Sequence, residues 1–285
     1  MGLKTSLVLE GGGMRGAYTA GALSWLIDNN IEFDNAYGIS TGAVHLCNYL
    51  MKDKKNLFDF SIDYITDKKA LYLSAFLRSG HVVDYDYVFD DLLKKQAKYD
   101  ISPLKNVKTN AQVGVYDLSV GETTYIKVQD ITYEELKAST TLPLLGKIVA
   151  EGDRQILDGG ITEMIPINKS VEDGCDKHLV ITTKPGNYVR KPAKKIVVNL
   201  MSLVYKQCPS IGKDYEVRHI NYQNQINTIK DLESKKDAVY IYPSKPSNVS
   251  RLGGKREDLI ALFELGKSDM EDRKSEIFEL LGINA

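Results

Sequence analysis

Residues 38–42 read Gly38-Ile39-Ser40-Thr41-Gly42, and what flanks them decides the kind of fold that carries them. Residues 35–39 make a short strand-like run, and residues 43–51 place Val44, Cys47, Leu50 and Met51 at helical spacing. A G-x-S-x-G where a strand gives way to a helix is a sharp turn. Small flanking residues relieve its crowding, the serine hydroxyl projects above the sheet, and the helix aims its N-terminal dipole at developing negative charge. Ser40 is thereby a candidate nucleophile, with Gly38 and Gly42 supporting its turn. Glycine and serine are also ordinary turn residues, so the pentapeptide needs company.

That company stands upstream. Residues 6–10 form an apolar strand, Gly11-Gly12-Gly13-Met14-Arg15-Gly16 follows as a tight loop, and residues 16–29 read as a helix with Trp25 and Leu26 on its apolar side. Two readings compete for the loop. Gly11, Gly13 and Gly16 satisfy the G-x-G-x-x-G dinucleotide fingerprint. A dinucleotide site, however, wants an acid closing the second strand, and here that strand closes on Ser40 and Thr41, with Glu32 and Asp34 lying before it. Amides facing a nucleophile from the neighbouring strand end would instead form an oxyanion hole, and that reading is favoured.

Downstream, residues 84–98 carry acids first and lysines last, which suits a helix. Residues 111–117 and 123–128 form a hairpin around Gly121, and Thr132 with Glu135 offers a capping box for a helix ending near Ser139. Further strands are expected at 155–157, 178–183 and 238–242, and helices at 194–206, 215–233 and 257–281, the last broken near Gly266. Alternating strands and helices imply a three-layer α/β/α fold on a mostly parallel sheet, as one domain over residues 1–285. In Leu157-Asp158-Gly159-Gly160 an acid leaves a short strand and two glycines let the chain turn past it.

Composition narrows the classes. Hydrophobic residues at 43% and charged residues at 26% are ordinary for a folded globular chain. A net charge of −1, from 37 Lys and Arg against 38 Asp and Glu, gives no bias toward nucleic acid. The cysteines Cys47, Cys175 and Cys208 form no C-x-x-C pair, and neither a disulfide framework nor a zinc site is expected. The first residues lack the pattern of a signal peptide, and no apolar stretch nears the roughly 20 residues that span a bilayer. A cytoplasmic protein is expected, with room for transient contact at the inner membrane face.

The GGGMRG loop, GISTG and DGG, in this order on strand ends, resemble the patatin-like phospholipase family, as does Ala138-Ser139-Thr140-Thr141-Leu142-Pro143 ahead of the acid. The likeness runs from about residue 5 to about residue 185, leaving about 186–285 as an α/β extension with no specific match. The resemblance implies a patatin-like fold and a serine acyl hydrolase acting on phospholipid, lysophospholipid or other lipid esters. Ser40 would be the nucleophile and Asp158 the base of a dyad without histidine. The amides of Gly11, Gly12 and Gly13 would hold the oxyanion, Arg15 and Gly16 would shape their loop, and Gly159 and Gly160 would seat the acid. No metal or cofactor is called for.

Rival readings follow from other residues. A Ser-His-Asp triad would need a histidine after the acid, which leaves His178 and His219. A nucleotide-binding module on GGGMRG, or a silent scaffold, are the alternatives outside this enzyme class. His45 and Cys47 read as helix packing. The apolar residues 70–83 suit a lid or lipid-facing surface, with burial in the core the commoner outcome. Ile196, Val197, Leu200, Met201, Leu203 and Val204 could dock on a membrane or simply cover a sheet.

Overall fold

The computed structural model describes residues 2–283. Strands β1 (Thr5–Leu9), β2 (Asn35–Ile39), β3 (Asn110–Asp117), β4 (Glu122–Lys127), β5 (Val149–Glu151), β6 (Arg154–Asp158), β7 (Lys177–Ile181) and β8 (Ala238–Ile241) join in one sheet. The helices are α1 (Gly16–Asp28), α2 (Thr41–Leu50), α3 (Lys54–Asp59), α4 (Tyr72–Ser79), α5 (Tyr133–Thr140), α6 (Ile167–Glu172), α7 (Lys195–Val204), α8 (Ile211–Ser234), α9 (Arg256–Asp272) and α10 (Lys274–Leu281). Strands β3, β2, β1, β7 and β8 lie side by side and all run parallel. The antiparallel strands gather at the other end: β4 and β6 both pair with β3, and β5 pairs with β6.

Strand side chains alternate between two cores, which makes the three layers. Leu7 and Leu9 of β1 pack with Leu23 and Leu26 of α1, Val44 and Leu46 of α2 and Phe263 of α9. Val8, between them, points the other way into Tyr222 and Ile226 of α8 and Ile167 of α6. A sheet buried on both faces is the expected α/β/α sandwich.

Strand register brings the serine turn to the acid. β4 follows one edge of β3 from Gln112 to Asp117, so β2 and β6 must use the other edge. On that edge β2 accompanies β3 only as far as the Ile39–Gly114 pair. β6 then takes over, with Val115 opposite Asp158. The chain leaving β2 at Ser40 and the last residue of β6 therefore meet end to end against β3.

Local expectations hold in several places. Thr132 and Glu135 close the capping box at the start of α5, with Glu135 N–H donating to Thr132 Oγ1 at 3.1 Å and Thr132 N–H to Glu135 Oε2 at 2.9 Å. The hairpin β3–β4 forms as read. Three readings change. The helix over 84–98 is wound wide, in π form from Tyr87 to Gln96, and Ala97 N–H reaches back to the Leu92 carbonyl. Gly266 breaks nothing: α9 runs through it to Asp272, and a Cβ there would lie 2.2 Å from the Tyr18 carbonyl of α1. It is a crossing point of two helices, and the break falls at Arg273 instead. Finally, residues 70–83 are not buried as a whole. Ala70, Ala75 and Val83 anchor the segment, while Leu73, Phe76 and Leu77 on α4 face outward, Leu77 being 77% exposed. The periodicity of α4 marks an amphipathic helix, and its apolar side simply meets no second layer.

The stretch at 196–204 forms α7 and divides similarly. Met201 is buried, whereas Ile196, Leu203 and Val204 are exposed. No helix among the described residues is long and apolar enough to cross a membrane.

Candidate active site

Ser40 sits between β2 and α2 with φ +57° and ψ −131°, a left-handed backbone that L-residues avoid. Such strain costs about 1–3 kcal/mol and persists only where surrounding packing holds it. Here Gly38 and Gly42 do so by contact, since a Cβ on Gly38 would lie 2.7 Å from the Gly42 carbonyl. Gly11, from the loop after β1, comes so close that a Cβ on it would stand 2.8 Å from Ser40 Cβ. Parallel β1 and β2 thus present the glycine loop and the serine turn side by side at their carboxyl ends, where ligands collect in sheets of this type.

Ser40, Asp158, Gly11, Gly12, Gly13, Arg15 and Gly160 line one small pocket. Ser40 is 7% exposed and Asp158 3% exposed. Burial pushes the Asp158 carboxyl above its ordinary range. The Ser40 hydroxyl and the Gly160 N–H oppose that rise, and the guanidinium groups of Arg218 and Arg251 oppose it from elsewhere in the same pocket. Gly160 N–H donates to Asp158 Oδ1 at 2.7 Å, so the residue after next fixes the carboxylate's direction. Gly159 packs on the Gly114 carbonyl, and Gly16 opens α1 against Thr41 and His45.

The three loop amides differ. Gly11 N–H donates to the Met164 carbonyl at 3.2 Å, and Gly12 N–H to Thr41 Oγ1, also at 3.2 Å. Gly13 N–H has no acceptor among the described residues. Of the three amides expected at the oxyanion, that of Gly13 is therefore the one left unengaged among the described residues, while Gly12 is held only by the Thr41 hydroxyl. Gly11 serves by being small beside the serine.

None of the histidines weighed as a base reaches this pocket. His178 is the second residue of β7, at the opposite end of the strand from the serine turn, with Nδ1 2.9 Å from both Ser6 Oγ and Ser170 Oγ. His219 is half-buried on α8, outside that pocket, its Nδ1 3.0 Å from the Glu216 carbonyl oxygen. His45 is enclosed in α2 beside Phe60, and burial pushes its pKa down to about 3. Among the described residues no three His, Cys, Asp or Glu side chains gather to hold a metal ion.

The sequence reading missed the cations. Lys184, Arg190, Arg218 and Arg251 line the same pocket, together with Leu142 and Met164. Lys184 ion-pairs with Glu10, which is wholly buried and also accepts from Thr183 N–H at 2.6 Å and Thr183 Oγ1 at 2.8 Å. This pair ties the ends of β1 and β7 beneath the glycine loop. Lys184→Met is expected to destabilise the protein by about 3–5 kcal/mol, because it leaves Glu10 buried without a counter-ion. Denaturant unfolding checks this, and a loss below about 1 kcal/mol would mean that Glu10 is solvated some other way.

The pocket at Ser40 has a volume of about 30 Å³, room for a water or two. It adjoins a cleft of about 350 Å³ that shares Leu142, Asp158, Gly160, Arg218 and Arg251 with it and is otherwise lined by Pro143, Leu144, Leu145, Ile161, Val197, Leu200 and Tyr215. A cavity of about 610 Å³ between Arg78, Asp84 and Lys137 contains none of the predicted site residues.

The family model described as patatin-like phospholipase matches residues 7–169, more than half of the 285-residue chain and the whole span from the glycine loop to Gly160. The chain belongs to the patatin-like phospholipase family. Membership places it among lipid acyl hydrolases in general. The segment of this patatin-like protein that supplies Arg218 and Arg251 matches a different model, a domain of unknown function (DUF6363) over residues 208–282. The uncharacterized protein YjjU of Escherichia coli (strain K12) is 23% identical over 272 residues, covering 93% of this chain and 75% of that protein. The crystal structure of VipD from Legionella pneumophila matches with a TM-score of 0.50 at 12% identity, over 96% of this chain and 67% of VipD. That likeness concerns the fold.

Proposed function

We propose that this chain hydrolyses lipid acyl esters through a dyad of Ser40 and Asp158. The observation that carries the reading is the strained serine turn facing a buried carboxylate that no histidine approaches. Ser40 Oγ attacks the ester carbonyl while Asp158 takes its proton, and a carboxyl raised by burial is a better base than an exposed one. The tetrahedral oxyanion forms beside the free Gly13 N–H and the amino end of α2, where the helix dipole favours negative charge. Collapse expels the alcohol or lysolipid with the proton from Asp158. Water then attacks the acyl-enzyme by the same route in reverse.

The cleft from Leu142 to Leu200 takes the acyl chain in this reading. It starts at Asp158 and Gly160 and its walls are mostly apolar. Its α7 wall continues outward into exposed Ile196, Leu203 and Val204, a surface suited to transient contact with a lipid layer. The cysteines Cys47, Cys175 and Cys208 are free and buried, which suits a reducing, cytoplasmic setting.

The test is hydrolysis of p-nitrophenyl esters of increasing chain length. kcat/KM is expected to climb from acetate to medium chains, by up to about 0.8 kcal/mol for each methylene the cleft buries. A folded protein that hydrolyses none of these esters would defeat the proposal, and a flat chain-length profile would remove the cleft from it.

A further inference from the structure

The guanidinium groups at this site outnumber the carboxylates. Arg15, Arg190, Arg218 and Arg251 line the pocket around Ser40 beside Lys184, and the nearby carboxylates are Asp158 and the Glu10 already paired with Lys184. Among the described residues none of these four arginines forms an ion pair with a carboxylate. Arg15 Nε is buried without any hydrogen-bond partner. The side chains of Arg190 and Arg251 hold nothing by hydrogen bonds among the described residues. Arg218, 9% exposed, directs Nε and Nη2 at one carbonyl, that of Gly160, at 2.9 and 2.5 Å. The groups also repel one another. Burial and then Arg190 pull the Arg218 pKa down to about 9, with Arg251 adding to it, and Arg251 likewise lowers Arg15 and Arg190. Half-buried cations normally sit against anions. Four that line one pocket, two of them also reaching the adjoining cleft, and repel each other mark the place of an anion the protein does not itself supply.

The number of donors says which anion. Each guanidinium offers a planar fork, and a carboxylate's two oxygens are too few for several forks. The oxygens of a phosphate monoester, with up to two negative charges, accept them from several directions. A choline head is disfavoured, because the aromatic faces that could cradle it are already covered by the protein's own cations. Arg218 lies 4.7 Å over the Tyr215 ring, Arg190 5.8 Å over Tyr222, and Lys184 5.6 Å over Tyr188. Arg218 and Arg251 also line the apolar cleft, so the anion and the chain belong to one molecule.

We infer that Arg190, Arg218 and Arg251, with Arg15 behind them, bind the phosphate monoester of an acyl-glycerol phosphate whose ester lies at Ser40. This rests on the hydrolase reading for the position of the ester, while the anion site itself is tested without catalysis. The full-length Ser40→Ala protein is titrated calorimetrically with monomeric 1-octanoylglycerol 3-phosphate, 1-octanoylglycerol, 1-octanoylglycerophosphocholine and inorganic phosphate. The phosphate-monoester lipid is expected to bind at least about tenfold tighter than the other three. Arg190→Gln and Arg251→Gln, chosen because neither side chain makes a hydrogen bond or ion pair among the described residues, should each weaken it about tenfold with little change in melting temperature. Equal affinity for the choline or neutral lipid, or full affinity in both variants, overturns the inference. Inorganic phosphate binding as tightly as the lipid overturns the headgroup assignment in favour of a free-anion site. Selective binding with no ester hydrolysis by the wild type would uphold the anion site and sink the hydrolase reading instead.

Discussion

Ser40→Ala is expected to lower kcat for ester hydrolysis by about 10⁴-fold or more while the protein stays folded. Removing a nucleophile abolishes the covalent route, and only binding and the oxyanion donors remain to help water. The backbone sharpens the prediction. Ser40 is held at φ +57° and ψ −131°, where a residue without Cβ relaxes. Ser40→Gly should therefore be as inactive as Ser40→Ala yet more stable than the wild type, by about 1 kcal/mol. Strain stored at a reactive serine is a sacrifice of stability to function, and the paired loss of rate and gain of stability would show it. Initial rates with a p-nitrophenyl ester and denaturant melts measure both. Survival of a tenth of the activity in Ser40→Ala would remove the serine from the mechanism.

Asp158→Asn is expected to lower kcat by about 10³-fold, because the amide keeps the shape and cannot take the proton. The pH profile distinguishes this base from any other. The base must be ionised to act, so kcat/KM should rise with pH through the Asp158 pKa and fall below it. Burial raises that pKa, so the rise should come above the ordinary carboxylate range. In Asp158→Asn the residual activity should lack this limb. His219→Ala should keep the full rate and the same limb, since His219 lies outside the pocket and is bonded to its own helix. A limb that vanishes with His219 and persists without Asp158 would replace the dyad by a triad.

The legible parts of this protein were local. The G-x-S-x-G between a strand and a helix, the glycine loop one unit earlier, the Thr132–Glu135 capping box and the β3–β4 hairpin each depend on residues a few positions apart, and each is found where expected. The misread places were those where a distant partner decides. Gly266 looks like a helix breaker until α1 is seen to cross at that point. Residues 70–83 look like core until α4 is seen to lie with Leu73 and Leu77 facing outward, its Tyr72 hydroxyl donating to the Leu252 carbonyl beside Arg251. Apolar periodicity reports which side of a helix is apolar and is silent on what covers it.

By itself, then, the sequence determined the layered α/β class, the turn that carries Ser40 and the glycine loop beside it, because backbone sterics and side-chain periodicity act over a few residues. It named Asp158 as a candidate through a motif and a family resemblance. Only the tertiary structure decided how the acid meets the serine. That depends on β6 replacing β2 along one edge of β3 at Val115, a register set by packing between Ile39 and Asp158, which stand 119 positions apart in the chain. The tertiary structure alone likewise gathered Arg15, Arg190, Arg218 and Arg251 around the pocket. Four arginines scattered through loops and one helix have no spacing to detect, since what relates them is a shared point in space and the charge they jointly place there.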